Sequence, residues 1–140
     1  MANAIYPTWK GFRGIAAANI SLNVDTAQDG PYVSLVDLGV YTYNTAHDFA
    51  DDITGIIGTT MRITAPTVAA ATGNFDGANV TFVAVSGATV EALVFWRQNS
   101  GANTTWKLIA FIDTGQTGLP VTPNGGDIIA SWNASGILVA

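Results

Sequence analysis

Residues 106–132 read WKLIAFIDTGQTGLPVTPNGGDIIASW. The flanks, WKLIAFID (106–113) and DIIASW (127–132), are short apolar runs rich in β-branched and aromatic residues, and turn residues bound them. Runs of this length and composition suit packed strands, whereas a buried helix needs about ten residues or more. The middle, GLPVTPNGGD (118–127), holds three glycines and two prolines and has three readings: a phosphate cradle, a mobile lid or a long turn. A Walker loop continues from its last glycine into Lys and Ser or Thr at the mouth of a helix, and a dinucleotide loop also opens a helix. Here Asp127 and a β-branched run follow the glycines, so a negative charge and a strand stand where phosphate would bind. Pro123-Asn124-Gly125 is turn chemistry, because proline presets one dihedral and Asn-Gly tolerates positive φ. The stretch predicts a long turn joining two antiparallel strands.

Outward from this stretch the strand signals repeat. In NISLNVD (19–25) and TMRITA (60–65) apolar and polar residues alternate, which predicts strands with one wet face. YVSLVDLGVYTY (32–43), NVTFVAV (79–85) and ATVEALVFWRQ (88–98) are apolar on both faces, as in the interior strands of a sandwich. Trp96, Trp106 and Trp132 fall within strand runs and read as core. APTVAAATGNFDG (65–77) reads as a connection inside one domain. NTAHDFADDITG (44–55) breaks the pattern: Thr45 suits a cap, Phe49, Ala50 and Ile53 share a side, and Gly55 stands where a helix would stop. The expected fold is all-β: one antiparallel β-sandwich over 15–140, with a short α-helix near 46–54 and an irregular N-terminal arm over 1–14.

Composition narrows the function classes. Charged residues are 11% of the chain, less than half the roughly 25% of ordinary globular domains, and apolar residues are 49%. A surface so short of charge suits coverage by other protein, and the surplus of apolar strand faces predicts a homo-oligomer, most plausibly a trimer. Five cations, Lys10, Arg13, Arg62, Arg97 and Lys107, are scattered against ten acids, so no basic cluster exists for nucleic acid. No apolar run reaches the length of a membrane span, and the first residues lack the order of a signal peptide; a soluble, unprocessed chain is expected. With no cysteine there is no disulfide, thiolate metal site or cysteine nucleophile.

The candidate chemical groups have simpler explanations. His47, the single histidine, lies beside Asp48, but no Gly-x-Ser-x-Gly elbow offers a serine for it to activate. Asp48, Asp51 and Asp52 lack the alternating ligand spacing of a calcium loop and read as acids near a helix start. Glu91 is the single glutamate, which disfavours a glycosidase carboxylate pair. Glycosylation sequons at Asn19, Asn79, Asn103 and Asn133 follow from a chain rich in Asn, Thr and Ser. No catalytic, cofactor-binding or metal-binding residue is expected, and the chain is read as no enzyme.

AIYPTWKGFRG (4–14) spaces Tyr6, Trp9 and Phe12 three apart, with Lys10 and Arg13 between and after them. Two readings stand: a terminus folded back over the sandwich, or an arm whose aromatics and cations dock on a partner, as interface anchors do. Tyr6, Trp9, Lys10, Phe12 and Arg13 are the expected partner-binding residues, joined by Leu119 and Val121 from the long loop. An arm of this kind would be dispensable for folding.

VSLVDLGVYTYNTAHDFADDI (33–53) and the stretch from GATVEALVFW (87–96) through TGLPVTPNGGDIIASW (117–132) to GIL (136–138) are similar to a family of small virion structural proteins of tailed bacteriophages. The resemblance spans about residues 33–138, and the long loop is its most specific part. It implies a non-enzymatic coat component, most simply a capsid decoration or cement protein on the outer face of the major capsid shell. The partners it implies are the major capsid protein and further copies of this chain; a tail or neck component is the alternative placement. A carbohydrate-binding surface module using Trp9 is the alternative of another class.

Overall fold

The computed structural model describes residues 3–15, 18, 20–26, 28–69, 71–114, 116, 118–132 and 136–137. In chain order the described elements are β1 (Ala4–Ile5), α1 (Pro7–Gly14), β2 (Gly30–Val36), β3 (Ile56–Arg62), β4 (Thr67–Val68), β5 (Phe75–Asp76), β6 (Val80–Phe82), β7 (Ala92–Gln98), β8 (Lys107–Ile112) and β9 (Ile128–Ala130). Two 3₁₀ turns, Ala50–Asp52 and Asn103–Thr105, complete them.

The runs that are apolar on both faces form the middle of one antiparallel sheet in the order β1-β8-β7-β2-β3. Pairing places Val33, Phe95 and Ala110 on one face and Ser34, Val94 and Phe111 on the other, and all six are buried. Both faces are covered, by different parts of the chain. Phe95 meets the ring of Trp132 at 5.7 Å, while Phe111 meets Tyr43 at 5.4 Å and Tyr41 at 6.2 Å. Two small ribbons, β4–β5 and β6–β9, stand outside the main sheet, and β6 turns Val80 and Phe82 into the core. Among the described residues the fold is all-β and antiparallel, of sandwich type, with a single short α-helix, the class that the strand runs predict.

That helix is not at 46–54. Residues 48 and 49 run along β8 rather than in a helix, because backbone groups of residues 48–50 are taken by β8 and the residue before it. Leu108 N donates to Asp48 O at 2.9 Å and Ala50 N to Trp106 O at 2.8 Å, around a bridge between Phe49 and Lys107. Only the 3₁₀ turn Ala50–Asp52 remains, and Gly55 takes φ +69 in the turn before β3 instead of capping an α-helix. Tertiary backbone pairing outweighs a weak local helix preference.

The α-helix lies in the segment expected to be irregular. Pro7 occupies its first position, where the missing N–H costs nothing, and the helix buries Trp9. β1 pairs with β8 just before it, so residues 4–14 belong to the body of the domain and do not form a separate arm.

Two other expectations fail. NISLNVD is no strand among its described residues, although Ile20, Leu22 and Val24 are half-buried and Ser21, Asn23 and Asp25 exposed. Side chains, not a ladder, hold it: buried Arg97 donates to Ser21 O and Asp29 Oδ1, and Asp25 Oδ2 accepts from Ala65 N at 3.1 Å. Residues 65–77, read as a plain connection, form the β4–β5 ribbon.

Candidate functional site

The loop at 118–127 is not a turn between paired strands. It crosses from β8 in the main sheet to β9, whose partner is β6. Along the way it is fastened to residues 83–90. Val90 and Val121 exchange both backbone hydrogen bonds, at 2.8 and 2.9 Å, and Thr89 Oγ1 lies 3.2 Å from Thr122 Oγ1. Gly125 N donates to Val85 O at 2.8 Å, Val85 N to Gly126 O at 2.9 Å, and Asp127 Oδ1 accepts from Ala84 N at 3.0 Å. Gly125 adopts φ +87, the positive dihedral that the Asn-Gly pair predicts, and Asn124 Oδ1 accepts from Gly126 N at 2.9 Å. A segment held at so many points is a fixed surface.

Beside it lies the outer face of the β6–β9 ribbon. Thr81 pairs with Ile129, and Val83 follows directly at the turn that ends β6. Val83 is 70% exposed and Ile129 59%, while their neighbours Phe82 and Ala130 point into the core. Leu119 is half-buried in a small hollow it shares with Ile128, Ile129 and Ala130, and Val121 is half-buried on its bridge to Val90. Ribbon and loop together present an uncharged, partly apolar surface interrupted only by Asp127, whose carboxylate is engaged with Ala84 N. Of this surface, sequence reasoning singled out Leu119 and Val121 and missed Val83 and Ile129.

The N-terminal candidates are placed differently. Tyr6 is 0% and Trp9 2% exposed, both within the chain's own core, so neither offers a side chain to a partner. Phe12 is half-buried against Phe49 at 5.7 Å, and the Lys107 ammonium lies 5.2 Å above its ring. Lys10 and Arg13 are exposed. The segment folds back, and Trp9 shows too little of its ring for a sugar to stack on it.

Tyr6 anchors it through a polar chain. Its hydroxyl lies 2.6 Å from that of Tyr41, which lies 2.9 Å from His47 Nδ1. Thr8 Oγ1 also donates to His47 O at 3.2 Å. Burial first, then the hydrogen bond to Tyr41, raises the Tyr6 phenol above its usual range. Burial pushes the Tyr41 phenol up to about 12, against a partial lowering by Tyr6. Burial also raises Asp48, helped by the neighbouring Asp52, while Asp52 overcomes its own burial and is lowered by the backbone N–H groups of Asp48 and Phe49 and by His47. These shifts have structural causes: the tyrosines and His47 hold residues 6–8 to residues 41–52, and His47 faces a phenol, not a nucleophile.

Among the described residues no three His, Asp or Glu side chains gather to hold a metal ion, and no helix is long and apolar enough to cross a membrane. Asn79 and Asn103 are described, near Trp132 N and at the start of a 3₁₀ turn. Asn19 and Asn133 lie outside the described residues. No protein-family model matches the chain, and no curated protein matches its sequence.

Proposed function

We propose that this chain is a bacteriophage virion structural protein, a capsid decoration or cement protein that sits on the outer face of the major capsid shell and braces it. One observation carries the reading: a fixed, nearly uncharged ribbon-and-loop surface leaves Val83 and Ile129 in water on a chain that has few charges to spare. Exposed apolar side chains on a rigid frame suit docking, because little conformational freedom is lost on binding. The loop on this surface is also the part of the chain most similar to virion structural proteins. Cement action then follows from mass action, since a protein that binds only the assembled shell stabilises it. As a virion component the protein would be made in the host cytoplasm and carried on the particle exterior.

Mixing the purified protein with emptied capsids tests the reading. Sedimentation with the shell and a raised melting temperature of the shell are the expected results; absence of both overturns it. Copy number separates shell from tail or neck placement, with hundreds per particle expected and about a dozen or fewer pointing to the neck. The expected trimer at local threefold positions is checked by light scattering of the free protein and by the symmetry of its density on the shell.

A further inference from the structure

A cleft of about 310 Å³ opens on the other side of the molecule's N-terminal segment, between α1, residues 20–23 and the β4–β5 ribbon. Its floor is Trp9 and Phe75, both buried, and its walls include Ile5, Leu22 and Val68. The wall at residues 20–23 is held in place, because Arg97 donates to Ser21 O and Ser21 Oγ donates to Asn23 Oδ1 at 2.7 Å.

Among the described residues that line this cleft, Arg13 is the single charged one. Three of the other four cations are engaged, Arg62 with Asp25 at 2.8 Å, Arg97 with Asp29, and Lys107 over Phe12, and the fourth, Lys10, does not line the cleft. Arg13 is exposed and has no ion-pair or hydrogen-bond partner among the described residues. An apolar hollow at the lower end of the usual size for small-molecule sites, with one unpaired guanidinium at its rim and no carboxylate in its lining, is complementary to a particular chemistry. The apolar walls would bury a hydrocarbon body, and the guanidinium would take two oxygens of one planar anionic head.

We propose that this cleft binds a small amphipathic carboxylate, with the hydrocarbon among Ile5, Leu22 and Val68 and the carboxylate on Arg13. The site shares no residue with the ribbon-and-loop surface, and the inference stands whether or not that surface meets a capsid.

The test uses the full chain and three ten-carbon probes that differ only in the head: decanoate, 1-decanol and decylammonium. Backbone amide shifts in two-dimensional NMR report both affinity and place. Saturable decanoate binding is expected, with the largest shifts at Ile5, Leu22 and Val68, weaker binding of the alcohol and weakest binding of the ammonium. Arg13→Gln should weaken decanoate about tenfold, to the level of the alcohol, and leave the alcohol unchanged. Val68→Asp, which sets a carboxylate at the rim, should weaken decanoate and not decylammonium. Arg13 and Val68 are exposed enough that both variants keep the wild-type spectrum elsewhere. Equal binding of all three heads, shifts centred on Val83 and Ile129, unsaturable binding, or decanoate affinity unaltered in Arg13→Gln would each overturn the proposal.

Discussion

The N-terminal segment and the long loop at 118–127 look alike in one respect: each sets apolar side chains among turn or cationic residues. The fold treats them in opposite ways. Residues 4–14 turn their aromatics inward, so that Tyr6 and Trp9 complete the core while Lys10 and Arg13 face water. The loop commits its backbone instead, to Val85 and Val90, and keeps Leu119 and Val121 near a surface where Val83 and Ile129 are bare. Aromatic content therefore does not mark an interface in a domain this small. A large ring buries more surface inside than any other residue, and the core claims it first.

The sharpest break in the comparison is removal of the N-terminal segment. Deleting residues 1–14 takes away β1, α1 and two core aromatics, and the remaining chain should fail to fold cooperatively; Trp9→Ala alone should cost about 3–5 kcal/mol in urea unfolding. A truncated protein that melts like the intact one would return the segment to the role of a detachable arm.

A smaller effect is expected at the polar chain that holds the segment. Tyr41→Phe strips the buried Tyr6 hydroxyl of its partner and should cost about 1–3 kcal/mol. The same site sets an alkaline limit. Tyr41 titrates at about 12 in the folded chain against about 10 when unfolded, so its contribution is whole below pH 10 and is lost as pH rises from 10 through 12; the raised Tyr6 acts in the same direction. Phenolate absorbance and circular dichroism should therefore change together over that window. Ionisation of Tyr6 and Tyr41 near pH 10 with the fold intact would contradict the burial on which this rests.

The ribbon-and-loop surface should show the smallest change in stability and the largest in association. Val83→Ser and Ile129→Asn remove no core contact, and each should move unfolding by no more than about 0.5 kcal/mol. Together they should abolish capsid binding. A double variant that binds normally would move the docking face elsewhere on the molecule.

How legible these regions were follows from what each depended on. Strands β2, β7 and β8 were evident because a run such as ALVFWRQ, apolar on both faces and only seven residues long, has few other ways to be buried. The helix at Pro7 was hidden by Gly11 and Gly14, which lower helix preference, although proline at the first position was a valid start signal. The absent helix at 46–54 was not legible, since residues 106–108 supply the competing hydrogen bonds from far along the chain. The docking surface was half legible. In NVTFVAV the alternation of Asn79 and Thr81 with Val80 and Phe82 already turns Phe82 inward, but the unbroken apolar run 82–85 hides that Val83 stays out.

Asn3, at the outer edge of the sheet, donates from its side-chain amide to Thr114 O at 2.8 Å, and its Oδ1 accepts from the backbone N–H groups of Asp113 and Thr114. These partners stand 111 positions apart. At about 5–20 residues per second, a ribosome would take on the order of ten seconds to bring them together. Until β8 is made, β1 has no strand to pair with, Tyr6 N lacks its acceptor at Ile109 O, and the central strands β2 and β7 lack their neighbour. Closing this edge of the sheet is thus a step that waits for β8, however early the rest of the chain collapses.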